Sequence, residues 1–89
     1  MNFQESIIQG IQLAFQNIFN HELPLEQISL APTKKEFEGS YTFVVFPFLK
    51  ISQTTPENTG NLIGEYLKAN VPAVSDFNVV KGFLNLVLN

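Results

Sequence analysis

The 89 residues contain no cysteine, no tryptophan and no arginine. Without thiols there is no disulfide framework, no thiolate metal site and no thiol nucleophile. Without arginine the chain lacks the forked cation that holds a phosphate at two points, which argues against a domain whose main work is gripping nucleic-acid backbone. The five basic residues are all lysine, set against eight carboxylates, for a formal net charge of −3. Any contact with nucleic acid is therefore expected to be local, with most of the binding energy supplied elsewhere. No apolar run approaches the roughly 20 residues needed to cross a bilayer. The opening Asn2-Phe3-Gln4-Glu5 carries no basic segment of the kind that begins a signal peptide. A reducing, cytoplasmic setting with no membrane partner is the expectation.

Catalytic parts are as scarce. The single histidine, His21, stands between Asn20 and Glu22, with no second histidine to share a metal, and reads as a solvated loop residue. The carboxylates Glu5, Glu22, Glu26, Glu36, Glu38, Glu57, Glu65 and Asp76 are scattered, and no two are placed with a base or nucleophile as acid–base chemistry requires. Glu36 and Glu38 share one side of an extended segment, as a charged hairpin edge would. Gly60 and Gly64 fall inside a helical pattern, while Gly39 and Gly82 stand alone, so no glycine loop cradles a phosphate. By itself the chain is expected to hold no metal or cofactor and to catalyse nothing.

What the chain has in abundance is phenylalanine, nine residues of it. Residues 1–89 make one small domain, near the lower limit for an independent core, and rings in excess of that core are expected to cover an interface. From Phe3 to Phe19 the apolar residues Phe3, Ile7, Ile8, Ile11, Ala14, Phe15, Ile18 and Phe19 recur at helical spacing and face one way. Leu13 lies across the wheel from that stripe. Asn20 to Pro24 turns the chain. Ile28-Ser29-Leu30 reads as a short strand closed by Pro32, and Tyr41 to Phe46 as a better one, β-branched and aromatic throughout.

Thr55-Pro56-Glu57 opens a second helix, since threonine caps, proline suits the first helical position and an acid suits the first turn. Its expected buried stripe is Thr59, Leu62, Ile63, Tyr66 and Leu67. Gly60 and Gly64 at the edge of that stripe would be explained by close approach of helix to sheet. Asp76 to Val80 and the residues after Gly82 complete the pattern. The fold class is α+β: a four-stranded antiparallel sheet with two main helices on one face, in the order α-β-β-α-β-β.

The last strand is the most informative. Successive side chains of a strand point to opposite faces, so Leu84, Leu86 and Leu88 form an apolar face and Phe83, Asn85 and Val87 form the other. An aromatic ring two residues from a primary amide is what a sheet surface needs to hold an unpaired base. The same pattern is met by a Phe83 in the core and an Asn85 in solvent.

Two stretches together carry a family resemblance. Phe37-Glu38-Gly39-Ser40-Tyr41-Thr42 leads into a strand, and Lys81-Gly82-Phe83-Leu84-Asn85-Leu86 closes the domain after a proline-started helix. The chain resembles, over essentially its whole length, the N-terminal additional domain of arginyl-tRNA synthetases in the form found in Bacteroidetes. Ser40 and Val80-Lys81 depart from that pattern, where many members have an acid and Gly-Pro.

The resemblance implies a domain that reaches the elbow of tRNA and contacts the D-loop, with Phe83 stacking on an exposed base and Asn85 reading its edge. Lys81 would be available to a phosphate. It also implies a longer parent whose separate catalytic domain binds ATP and arginine and packs beside this one. The chemistry the resemblance implies needs a histidine-containing nucleotide motif and a Lys-Met-Ser-Lys-type loop. The only candidates here are His21 and Met1, so this segment does not aminoacylate. The rival expectation is an interaction module whose surplus phenylalanines pack on a partner protein without touching tRNA.

Overall fold

A computed structural model describes residues 2–89, which leaves Met1 outside the description. The described residues form α1 (Phe3–Phe19), β1 (Ala31–Pro32), β2 (Tyr41–Val44), α2 (Leu49–Ser52), α3 (Pro56–Asn70), β3 (Val74–Val80) and β4 (Phe83–Leu88). Short 3-10 turns at Leu25–Gln27 and Phe46–Phe48 join them. The four strands pair antiparallel in the order β1-β2-β4-β3. The expected α+β class, with α1 and α3 as the two main helices, is therefore what the chain adopts. The one-turn α2 is an addition.

Both long helices begin where their capping residues direct. The Asn2 side chain accepts from the Glu5 N–H at 2.8 Å, and Asn20 ends α1 in the left-handed region at φ 53°. Thr55 accepts from the Asn58 N–H at 3.1 Å, with Pro56 in the first turn. The core between helices and sheet is aromatic at its centre. The Phe15 ring lies 5.3 Å from Phe19, 5.3 Å from Phe48 and 6.4 Å from Phe43, centroid to centroid, and Phe43 stacks on Phe48. Ile7, Ile11, Ile63, Leu67, Leu84 and Leu86 close around them, all fully buried.

Gly60 and Gly64 have the role foreseen for them. A methyl group on Gly60 would sit 2.8 Å from Val79, and one on Gly64 would sit 2.5 Å from the Phe77 ring, so α3 rests directly on β3. Alanine at a helix interior normally stabilises by about 1 kcal/mol over glycine. At this contact overpacking of roughly 1–3 kcal/mol opposes that gain. Gly64→Ala is therefore expected to lower stability by about 1 kcal/mol or more, measured as a reduced midpoint in urea with unchanged slope.

Four expectations are corrected. The first strand is Ala31–Pro32, not Ile28–Leu30. Ile28 is buried from a loop, and Pro32, whose ring nitrogen cannot donate, pairs with Tyr41 at the sheet edge, where a missing donor is tolerated. The second strand stops at Val44, because Val45 turns into the helical region and Pro47 follows in a 3-10 turn. Leu62 is 42% exposed, and the buried stripe of α3 is Thr59, Gly60, Ile63, Gly64 and Leu67. Phe3 is 58% exposed at the start of α1 and takes no part in the buried core. Leu13, opposite the stripe, is exposed as well. Among the described residues no helix is long and apolar enough to cross a membrane.

Candidate nucleic-acid interface

The helices cover one face of the sheet, and the candidate residues Phe83 and Asn85 lie on the other. Register places Thr42 opposite Asn85 and Asn85 opposite Asn78, which makes a polar row across β2, β4 and β3. One step along, Val44 faces Phe83 and Phe83 faces Val80, an apolar row beside the polar one. Strand alternation is what segregates these rows from Leu84 and Leu86 on the helix side.

Lys81 and Gly82 form the two-residue turn between β3 and β4, both with positive φ, 49° and 82°. Such a turn matches the twist of the strands it joins, and asparagine or glycine usually fills both places. Lys81 occupies one at some conformational cost and lies exposed. A side chain on Gly82 would collide with the Phe46 ring, which lies against the turn. Phe83, the next residue, is half-buried.

Asn85 is 1% exposed, so it is not the solvated amide that alternation alone permits. Its Oδ1 accepts from the Thr42 hydroxyl at 2.6 Å, and its Nδ2 donates to Asn78 Oδ1 at 2.9 Å. Asn78 in turn donates through Nδ2 to the Glu38 carbonyl at 2.7 Å. A carbonyl only accepts, so the chain of hydrogen bonds has one direction, from Thr42 through Asn85 and Asn78 to Glu38. The loop of residues 33–40 is thereby held over the polar row. Thr33 Oγ1 lies 3.0 Å from Thr42 Oγ1, and the Cβ of Asn85 is within 3.2 Å of the place a Gly39 side chain would take.

Beyond the loop the sheet opens into a shallow cleft of about 100 Å³ lined by Pro32, Lys34, Phe37, Val44, Phe83 and Asn85. That is well below the roughly 300 to 1,000 Å³ of sites that enclose a small ligand, so the cleft offers a ring face at its side rather than an enclosing pocket. Phe83 and Asn85, named from the sequence, meet here. Lys81 lies two residues away at the turn and is not among the lining residues. Lys34 and Phe37 are the residues sequence reasoning missed. Lys34 Nζ stands 5.8 Å from the centroid of the Phe83 ring. The one available signal was the pair Lys34-Lys35, the only adjacent cations in the chain. A second cleft, of about 210 Å³, runs between β1 and the Phe46–Phe48 turn past Gln27, Ser29 and Phe48. No charged side chain lines it.

No family model matches the chain. Over 88 residues, 99% of its length, it is 49% identical to the arginine–tRNA ligase of Bacteroides fragilis and covers 15% of that protein. It is 45% identical over 86 residues to the arginine–tRNA ligase of Amoebophilus asiaticus, covering 97% of this chain and 14% of that one. Among solved structures, the Thermus thermophilus arginyl-tRNA synthetase superposes with a TM-score of 0.80 over 99% of this chain and 14% of that one, at 19% identity, which is a likeness of fold.

An α+β unit with such relatives along 97–99% of its length falls in the aminoacyl-tRNA synthetase class. It belongs to the arginyl-tRNA synthetase family, as the Gly82–Leu86 stretch and the Tyr41 strand implied. The chain spans about 15% of the length of the curated relatives it matches.

Proposed function

We propose that this domain holds an unpaired base from the D-loop, at the elbow of an arginine-accepting tRNA. In that role it serves a longer arginine–tRNA ligase whose separate catalytic domain binds ATP and arginine. The observation that carries the proposal is the half-exposed Phe83 ring at the side of an apolar cleft whose floor is an amide. A ring face binds any base by stacking, and an amide edge adds selectivity through hydrogen bonds.

Asn85 gives one Nδ2 hydrogen to Asn78 and retains a second. Asn85 lines the cleft but is 1% exposed beneath the 33–40 loop, so in this reading its second N–H reaches a carbonyl or ring nitrogen of the stacked base only when that loop shifts. Lys81, exposed at the turn beside Phe83, is placed to meet a phosphate. The setting is cytoplasmic, the compartment of tRNA charging.

With few cations on offer, binding by the domain alone should be weak, with a Kd of about 0.1 mM or higher and a shallow dependence on salt. Phe83→Ala should lose about 1–3 kcal/mol of stacking. The test is a titration of isotope-labelled protein with an arginine-accepting tRNA transcript, and with a second transcript whose D-loop base is removed. Amide shifts at Gly82 to Val87 that vanish with the second transcript are expected. No shifts at millimolar tRNA would leave a packing module, for which the exposed Phe3, Leu13 and Leu62 provide the apolar surface.

A further inference from the structure

We propose that Lys34, on the loop between β1 and β2, is a second nucleotide-contacting residue: it leaves the face of Phe83 when a base stacks there and takes up that nucleotide's phosphate. This rests on the Phe83 site above and extends it to a residue outside the last strand.

Three features carry the inference. First, Lys34 Nζ lies 5.8 Å from the Phe83 centroid, within the range of about 6 Å over which a ring face attracts a cation. The ammonium therefore covers part of the ring surface a base would need, and a stacking base has to displace it. Second, Lys34 does not drift free once displaced, because its loop is tied down on both sides. The Phe37 N–H bonds the Lys34 carbonyl at 3.0 Å, the Thr33 N–H bonds the Ser40 carbonyl at 3.3 Å, and Glu38 is held by Asn78. A lysine stem with three rotatable donors is suited to swing from a ring to an oxygen a few ångströms off.

Third, three of the five lysines lie on the two segments flanking the Phe83 ring, although Glu36 and Glu38 share the loop with two of them. Lys34 and Lys35 lie on this loop and Lys81 on the turn before Phe83, whereas Lys68 is paired with Asp76 at 3.6 Å. An apolar cleft with an ammonium at its mouth suits a base attached to a phosphate better than it suits an apolar peptide side chain, which would leave the cation unused.

The experiment repeats the tRNA titration with Lys34→Gln and Lys34→Arg beside the unaltered protein, at several salt concentrations. Lys34→Gln should weaken binding by about three- to tenfold and reduce the slope of log affinity against log salt by about one unit, while Lys34→Arg keeps the slope. Lys34→Gln that binds with unchanged affinity and slope overturns the inference and leaves the Phe83 site standing. Weaker binding with an unchanged slope also overturns it, since Lys34 would then shape the cleft without meeting a phosphate. No shifts with the unaltered protein overturn the Phe83 site itself and this inference with it.

Discussion

Asn85→Asp is expected to destabilise the domain by about 3 kcal/mol near neutral pH, although it exchanges one nitrogen for oxygen. Asn85 is enclosed and gives its Nδ2 proton to Asn78 Oδ1. A carboxylate there would set oxygen against oxygen. Asn78 cannot relieve this by turning over, because its own Nδ2 serves the Glu38 carbonyl, which would then face a second acceptor. The buried charge also loses its water.

The acid form is the tolerated one, so the introduced group titrates higher in the folded state than its unfolded value of about 3.9. For a folded pKa raised in this way, stability is intact below the unfolded value and falls as pH climbs through the folded one. Thermal unfolding of both proteins at about pH 3.5 and pH 7 tests this. The difference between them should shrink markedly at the lower pH. An equal deficit at both would show that shape, not charge, carries the effect.

Phe15→Ala should be at least as damaging, at about 3–5 kcal/mol. Phe15 contacts three other rings and comes from α1, while Phe43 belongs to the sheet and Phe48 to the turn after it. Its removal hollows the point where these three parts meet, and rings held by different elements cannot all collapse into the gap. For a domain of this size each kcal/mol is worth about 4–8 °C in Tm, so a fall of well over 10 °C is expected in a thermal scan. Phe15→Leu, which keeps most of the volume, should fall by much less. A small loss with alanine would mean that the cluster repacks.

Some of this was written plainly in the chain. The Thr55-Pro56-Glu57 start, the alternation after Gly82 and the paired glycines of α3 each depend on neighbours in sequence, and each is found where local rules put it. The first strand was harder to read, because pairing with Tyr41 and Thr42 decides it and the apolar Ile28 serves the core without being in a strand. Leu62 fitted its stripe by type, but Gly60 and Gly64 let the sheet take the adjacent face of α3, and Phe3 lies exposed at the first residue of α1. Alternation told which face Asn85 belongs to. What covers that face is the 33–40 loop, held by contacts from residues as much as forty positions away, and local pattern carries no trace of it. Lys34 was hidden for the same reason.

The strand order has a consequence for how the protein keeps to itself. A sheet with open sides offers unpaired peptide groups to any other chain, and copies of one protein are the nearest strangers. One side here is β1, two residues long and half of it proline, which has no hydrogen to give. The other is β3, at seven residues the longest strand. Its register slips between Val74 and Asp76, and Asp76 adds a charge at the same place. Neither margin presents a long unbroken row, so edge-to-edge joining into fibres finds no ready template.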